Sequence, residues 1–311
     1  MQHSVVCDKA ISQTVEHTLP HCPRTFDSAT PWFALTSKLD VPKSVKLPVS
    51  SSRQPKFPAK QETMFRETLM VLNRCRVPYV VSGAFALQVH TGIWRPTKDL
   101  DLFLTPEDMP AALRCLTSHG FRCQAKDPVW LHKARRNGFF IDLITGMSNA
   151  VIRVGRSWIE NSRPAMVLDV RVRVLAAEEL LASKLFVMRR ERFDGADIAH
   201  IIFASRGNLN WKRILALVGE HWEILLFALV MYRYVYPAHS QYVPSWVWQC
   251  LLVRFSNELT NRNPSAKFRG SLVDDKMFAI DVVEWGLENA LDIHRAQAKA
   301  PMANMREKID R

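Results

Sequence analysis

Polar and apolar residues alternate through Asp99-Leu100-Asp101-Leu102-Phe103-Leu104, the period-two pattern of a half-buried strand. In that geometry both carboxylates share one face, and Leu100 and Leu102 share the other. An amphipathic helix is expected over residues 64–74, ending before Pro78, then a short strand over 79–81 and a helix over 84–90 that stops at Thr91-Gly92. Thr105-Pro106-Glu107-Asp108 predicts another helix, with Thr105 as N-cap and Pro106 at the first position, stopped by Gly120. Asn137-Gly138 between the apolar runs 129–134 and 139–145 predicts a hairpin. It carries Asp142 on its second strand, towards Asp99 and Asp101 if the two strands pair. A strand over 166–174 and a helix over 176–189 follow, and then helices over 196–204, 211–218, 221–234 and 245–259.

The expected fold class is therefore α/β: a mixed small sheet with flanking helices, followed by a helical domain. Residues 1–60 read as a disordered tail, with Pro42, Pro48, Pro55 and Pro58 recurring around Ser50-Ser51-Ser52 and no apolar period. Residues 61–175 form the expected catalytic domain and 176–311 the helical one. Trp211, Trp222, Trp246 and Trp248 fall at helical spacing and are read as core.

Composition narrows the picture a little. Hydrophobic residues make up 48% of the 311, ordinary for a globular chain. The six cysteines (Cys7, Cys22, Cys75, Cys115, Cys123, Cys250) form no CxxC or Cys/His metal spacing, which suggests free thiols in a reducing, cytoplasmic setting. No membrane partner is expected, since the apolar run 224–232 is too short to span a bilayer and Arg233 interrupts it. The formal charge of +12 favours polyanionic partners such as nucleotides or RNA.

The chemistry lies in the acids. Asp99, Asp101 and a strand-borne Asp142 are set beside Ser82-Gly83, where an apolar strand breaks into a helix N-terminus that can hold phosphate. Divalent cations on such carboxylates are the apparatus of phosphoryl and nucleotidyl transfer. Arg95, Lys98 and Lys184 are candidates to neutralise a triphosphate. Lys184 also reads as a lysine that reaches the surface along an apolar helix, and Asp194 and Asp197 as helix-capping acids. Lys133, Arg135 and Arg136 crowd the hairpin turn as a candidate RNA platform; a merely solvated turn reads equally well.

Ser82-Gly83, then Arg95, Thr97 and Lys98, then Asp99-Leu100-Asp101, then Asp142 resembles the nucleotidyltransferase superfamily related to DNA polymerase beta. The stretch from Gly92 to Asp101 is similar to its bacterial abortive-infection (type IV toxin) branch. Glu178-Glu179-Leu180-Leu181-Ala182-Ser183-Lys184 and Phe193-Asp194-Gly195-Ala196-Asp197 look like that branch's downstream motifs. The resemblance implies a nucleotidyltransferase fold and Mg²⁺ or Mn²⁺ on Asp99, Asp101 and Asp142. It implies an NTP at Ser82, Gly83, Arg95, Lys98 and Lys184, and NMP transfer to a hydroxyl. RNA such as tRNA is the favoured acceptor, ahead of a small molecule or a protein, and a cognate antitoxin protein is an implied partner. Ser82 departs from the superfamily's first glycine, and residues 84–98 form a longer spacer than is usual there. The competing readings are a non-catalytic nucleotide- or RNA-binding module of the same fold and an Asp-x-Asp glycosyltransferase, which needs neither Ser82-Gly83 nor Asp142.

Overall fold

The structure is a computed structural model that describes residues 57–309. The expected tail lies outside the described residues as far as residue 56, and so do Cys7 and Cys22. From Phe57 the chain is part of the fold: its ring packs on Phe65, Phe85 and Trp94.

Helix α1 (Ala59–Arg74) turns Met64, Phe65, Thr68, Leu69 and Leu72 inward at helical spacing. Strand β1 (Val80–Val81) leads into α2 (Gly83–Thr91) and, after a loop, β2 (Asp101–Phe103). Next come α3 (Met109–Ser118), β3 (Arg122–Asp127), β4 (Leu131–Arg136) and β5 (Phe139–Ile144). Helix α4 (Arg156–Glu160), β6 (Arg163–Val167) and β7 (Val170–Val174) complete the sheet region. The sheet runs β3-β4-β5-β2-β1-β7-β6. Strands β2 and β5, and β1 and β7, are parallel, and the other neighbours are antiparallel, so the sheet is mixed. Asn137 and Gly138 both have positive φ, as the expected two-residue hairpin turn requires.

The helical part starts with α5 (Ala177–Leu185), the small hairpin β8 (Met188–Arg189) and β9 (Arg192–Phe193), and α6 (Gly195–Ser205). It continues with α7 (Trp211–Val218), α8 (Trp222–Val235) and α9 (Ser245–Thr260), then α10 (Gly270–Val273), α11 (Ala279–Val283) and α12 (Ala290–Ile309). Helix α2 packs on both α5 and α6, and one hydrophobic cluster runs from α1 through the sheet to α9. Trp211 and Trp222 are buried in it, whereas Trp246 is 39% exposed and is not core. Among the described residues, one helical stretch, Trp211–Val235, has the length and composition to cross a membrane. Gly219, with positive φ, breaks it between α7 and α8, and Ile214, Leu225, Leu229 and Tyr232 from both halves are buried in the core.

Four expectations change. The helix expected from Thr105 begins at Met109, because Thr105 and Asp108 close a separate turn: Thr105 Oγ1 donates to Asp108 Oδ2 (2.8 Å) and accepts from Asp108 N (3.2 Å). The single strand over 166–174 is a hairpin, since Leu168 and Asp169 both take positive φ. Arg66 secures that turn from α1 by donating to the Leu168 carbonyl and the Asp169 carboxylate. The helix expected over 176–189 stops at Leu185, and the β8–β9 hairpin follows. Cys75 and Cys115 are joined in a disulfide, because α1 and α3 pack together and bring the end of one helix to the middle of the other. The free-thiol expectation is thus wrong for this pair; Cys123 and Cys250 carry thiols.

Candidate active site

Strand β1 ends at the point where the site begins. The Ser82 amide donates to the Asp101 carbonyl (2.9 Å), so that N–H is committed to the sheet and is not available to a phosphate. Ser82 is extended (φ −125°), and the left-handed conformation falls on Gly83 (φ +58°). Serine in the first position therefore costs nothing here, since only the second position needs glycine's freedom. A Cβ on Gly83 would lie 1.9 Å from Asp101 Oδ2, so the glycine also makes room for the carboxylate. The long spacer 84–98 is taken up by α2 and the loop after it.

Asp101 opens β2 and stands in register with Asp142 on the parallel strand β5. Asp99 precedes the strand and is oriented by Thr97, whose Oγ1 donates to Asp99 Oδ1 (2.6 Å). Oxygen atoms of Asp99, Asp101 and Asp142 all lie within 4.8 Å of one another. Burial and the neighbouring Asp99 and Asp142 charges push Asp101 up to about 7. Burial also raises Asp142, against the opposing pull of Lys133, whose Nζ donates to both its oxygens (2.6 and 2.9 Å). An all-oxygen donor set with self-repelling charge fits Mg²⁺ or Mn²⁺ rather than a thiolate- or imidazole-preferring ion.

Cations surround these acids. Lys184 is buried and does not reach the surface: its Nζ donates to Asp194 (2.8 Å) and Asp197 (2.7 Å). Asp194 stands at the N-cap position of α6 without a side-chain cap bond, and both acids are committed to cations instead. Arg95 sits on the other side of Asp197 (2.5 Å) and beside His200 Nδ1 (3.3 Å). Arg192 forks onto Asp194 with Nε (3.0 Å) and Nη2 (2.9 Å). Burial alone raises Asp194, but Arg192 and Lys184 outweigh it and hold the carboxyl below its ordinary value.

Two cavities meet at Gly83, Asp101, Trp130, Lys184 and Arg192. One, of about 310 Å³, extends past Met147, Phe186 and Arg189. The other, of about 380 Å³, extends past Asp99, Asp142, Arg95 and Thr97. Of the expected site residues, Ser82, Gly83, Arg95, Asp99, Asp101, Asp142 and Lys184 line one or both. Lys98 lines neither: it is exposed, and its carbonyl accepts from Gln61. Lys133, Arg135 and Arg136 do not form one platform. Lys133 and Arg135 both lie over Phe140, Lys133 also holding Asp142, whereas Arg136 pairs with Glu67 and stacks on Phe121. Alternation along β4 sends the last of them to the α1 side of the sheet. Arg192, Arg189, Trp130 and Phe186 were not singled out in the sequence; nothing in their local pattern sets them apart from ordinary loop and core residues.

No protein-family model matches the chain, and no curated protein does. Solved structures are similar to it at a distance. The antibiotic-resistance factor ANT(2'')-Ia is 14% identical over 57% of this chain and 99% of its own, with TM-score 0.39. An antigenic nucleotidyltransferase-like protein from Paracoccidioides brasiliensis is 16% identical, covering 60% of this chain and 94% of its own, with TM-score 0.37. The lincosamide antibiotic adenylyltransferase LnuA is 13% identical, covering 47% and 98%, with TM-score 0.34.

Proposed function

We propose that this protein is a metal-dependent nucleotidyltransferase that moves an NMP from an NTP to a hydroxyl acceptor. The observation that carries this reading is the convergence of Asp99, Asp101 and Asp142 within 4.8 Å beside the Gly83 turn. Mg²⁺ or Mn²⁺ held by these carboxylates would neutralise charge on the phosphoryl oxygens and the leaving pyrophosphate. A glycosyltransferase needs neither the third carboxylate nor the glycine turn, and a module that only binds needs no convergent acids.

The NTP enters the 310 Å³ cavity. Lys184, Arg189 and Arg192 face its triphosphate there, the α2 N-terminus at Gly83 adds its dipole, and Trp130 and Phe186 offer apolar faces to the base. The acceptor enters the other cavity, where Asp142 on the wall is placed to meet its hydroxyl. The acceptor oxygen bonds to the α-phosphorus, the bond from that phosphorus to the β-bridging oxygen breaks, and pyrophosphate leaves. The hydroxyl proton passes to Asp142 or to water. Arg95, on the wall of the second cavity, belongs to the same reading as an outlying phosphate-binding group, whereas Lys98 lies outside both cavities.

RNA, such as a tRNA end, is the acceptor favoured by the net charge of +12. The motifs at Glu178–Lys184 and Phe193–Asp197 are what favour the toxin-like branch, with a cognate antitoxin as partner. The test is incubation with each α-labelled NTP, Mg²⁺ or Mn²⁺ and total RNA, beside a protein-only reaction. Label in RNA is the expected result. Label in protein moves the acceptor to a side chain, and label in neither moves it to a small-molecule hydroxyl; failure of every NTP to bind in the presence of Mg²⁺ or Mn²⁺ overturns the enzymatic reading.

A further inference from the structure

Away from the carboxylates, three ligand-type side chains converge where α12 meets the turn between α7 and α8. His221 ends the 3-10 turn Gly219–His221 and its side chain is only 7% exposed. His294 lies one turn into α12, its ring centroid 6.0 Å from that of His221. Glu220 Oε1 is 3.8 Å from His221 Nε2, and ligand atoms of all three residues fall within 4.8 Å of one another. They border a cavity of about 420 Å³ that Asn263, Ser265 and Arg269 also line.

The second observation is the state of His221. Among the described residues no hydrogen bond is made by either ring nitrogen, although the side chain is nine-tenths buried; Glu220, at 3.8 Å, is too far for one. The ring borders the cavity, where a lone pair is open to a ligand. Arg269 does not fill that role. It faces the carboxylates, with Nη1 3.5 Å from Glu223 and Nη2 4.0 Å from Glu220, so it has Glu223 to hold if Glu220 turns inward.

We infer that His221, His294 and Glu220 form a second metal site, of the zinc type, that ties α12 to the α7–α8 turn. Two imidazoles and one carboxylate suit Zn²⁺, with a water from the cavity in the fourth position. Zinc bonds of about 2.0–2.1 Å require the three ligand atoms to draw closer than they stand, a closure that needs both the 66%-exposed Glu220 side chain and the half-buried His294 ring to turn inward. The site also touches the proposed NTP cavity: the His221 ring meets Phe186 edge-on at 5.3 Å, and Phe186 lines that cavity.

The experiment is equilibrium dialysis of the chelator-stripped protein against micromolar Zn²⁺ in excess Mg²⁺, with metal analysis and thermal unfolding. The parent and Asp101→Asn should each retain one equivalent of zinc and gain several degrees in Tm. His294→Gln and Glu220→Gln, both outside the core, should fold as the parent does without metal, yet lose the zinc and the Tm gain. Three results would each overturn the site: no zinc in the parent, zinc lost from Asp101→Asn but kept by His294→Gln, or zinc kept by all variants.

Discussion

Asp101 and Asp142 face each other in register across the parallel strands β2 and β5, with Asp142 N donating to the Leu100 carbonyl (3.0 Å) between them. The sheet itself therefore sets the spacing of the two acids. No loop has to order for them to meet, and both are anchored by strands whose opposite faces, Leu100, Leu102, Ile141 and Leu143, are fully buried.

Asp99→Asn and Asp101→Asn keep size and hydrogen bonding but remove the charge that holds a cation. NMP transfer should fall by roughly a hundredfold or more, the loss expected when several kcal/mol of charge stabilisation disappear. The metal-free Asp101→Asn protein should melt at an equal or higher temperature, because like charge is relieved. Near-normal transfer by both variants would end the metal-dependent reading.

Gly83→Ala tests the turn. The new Cβ meets Asp101 Oδ2 at 1.9 Å and the residue must hold φ +58°, which alone costs about 1–2 kcal/mol in an L-residue. Stability and metal binding should fall together, measured by denaturant unfolding and by Mn²⁺ titration. Ser82→Gly, by contrast, should leave metal binding unchanged, since Ser82 is already in ordinary extended backbone.

Stability of the metal-free protein should depend on pH through Asp101. Its folded pKa, about 7, is above its unfolded value, so between about pH 4 and 7 the folded state binds more protons. The contribution of this group is therefore most favourable at the acid end and is lost as pH rises towards 7. His90, His200 and His221 are lowered and act in the opposite sense, losing stability as pH falls below the ordinary histidine value. The difference between parent and Asp101→Asn, measured by urea unfolding across this range, isolates the carboxyl. A difference that does not change with pH would show that Asp101 ionises normally.

Lys184→Ala removes the cation shared by two buried carboxylates, which keep Arg192 and Arg95, so the loss should fall below the roughly 3–5 kcal/mol of a fully broken buried pair. Loss of NTP binding in that variant would by itself say little. Adding Asp194→Asn and Asp197→Asn should restore stability without restoring NTP affinity. If the triple variant binds NTP as the parent does, Lys184 holds the fold and not the triphosphate.

Reduction of Cys75–Cys115 frees a loop that contains Gly83, Asp99 and Asp101. Chain entropy for a loop of this length corresponds to about 4 kcal/mol, an upper figure. Unfolding with and without reductant, beside Cys75→Ser, should show a drop in that direction; identical midpoints would mean the two thiols do not pair in solution.

Local pattern alone placed a strand around Asp101–Phe103, shorter than the 99–104 expected, the hairpin at Asn137-Gly138 and the run of helices after it, because period and turn chemistry act over a few neighbouring residues. The three acids were legible for the same reason, each standing in or beside an apolar strand. Tertiary structure decided what depended on distant partners. The left-handed turn at Leu168-Asp169 is held by Arg66, the Cys75–Cys115 bridge depends on α1 meeting α3, and Lys184 is buried because Asp194 and Asp197 come back to it. Lys133 and Arg136, neighbours in the sequence and equal in charge, part company because the pleat of β4 sends one to Asp142 and the other to Glu67. Local sequence specifies period and backbone freedom, whereas the pairing of a charge is fixed only when packing brings its counter-charge within a few ångströms.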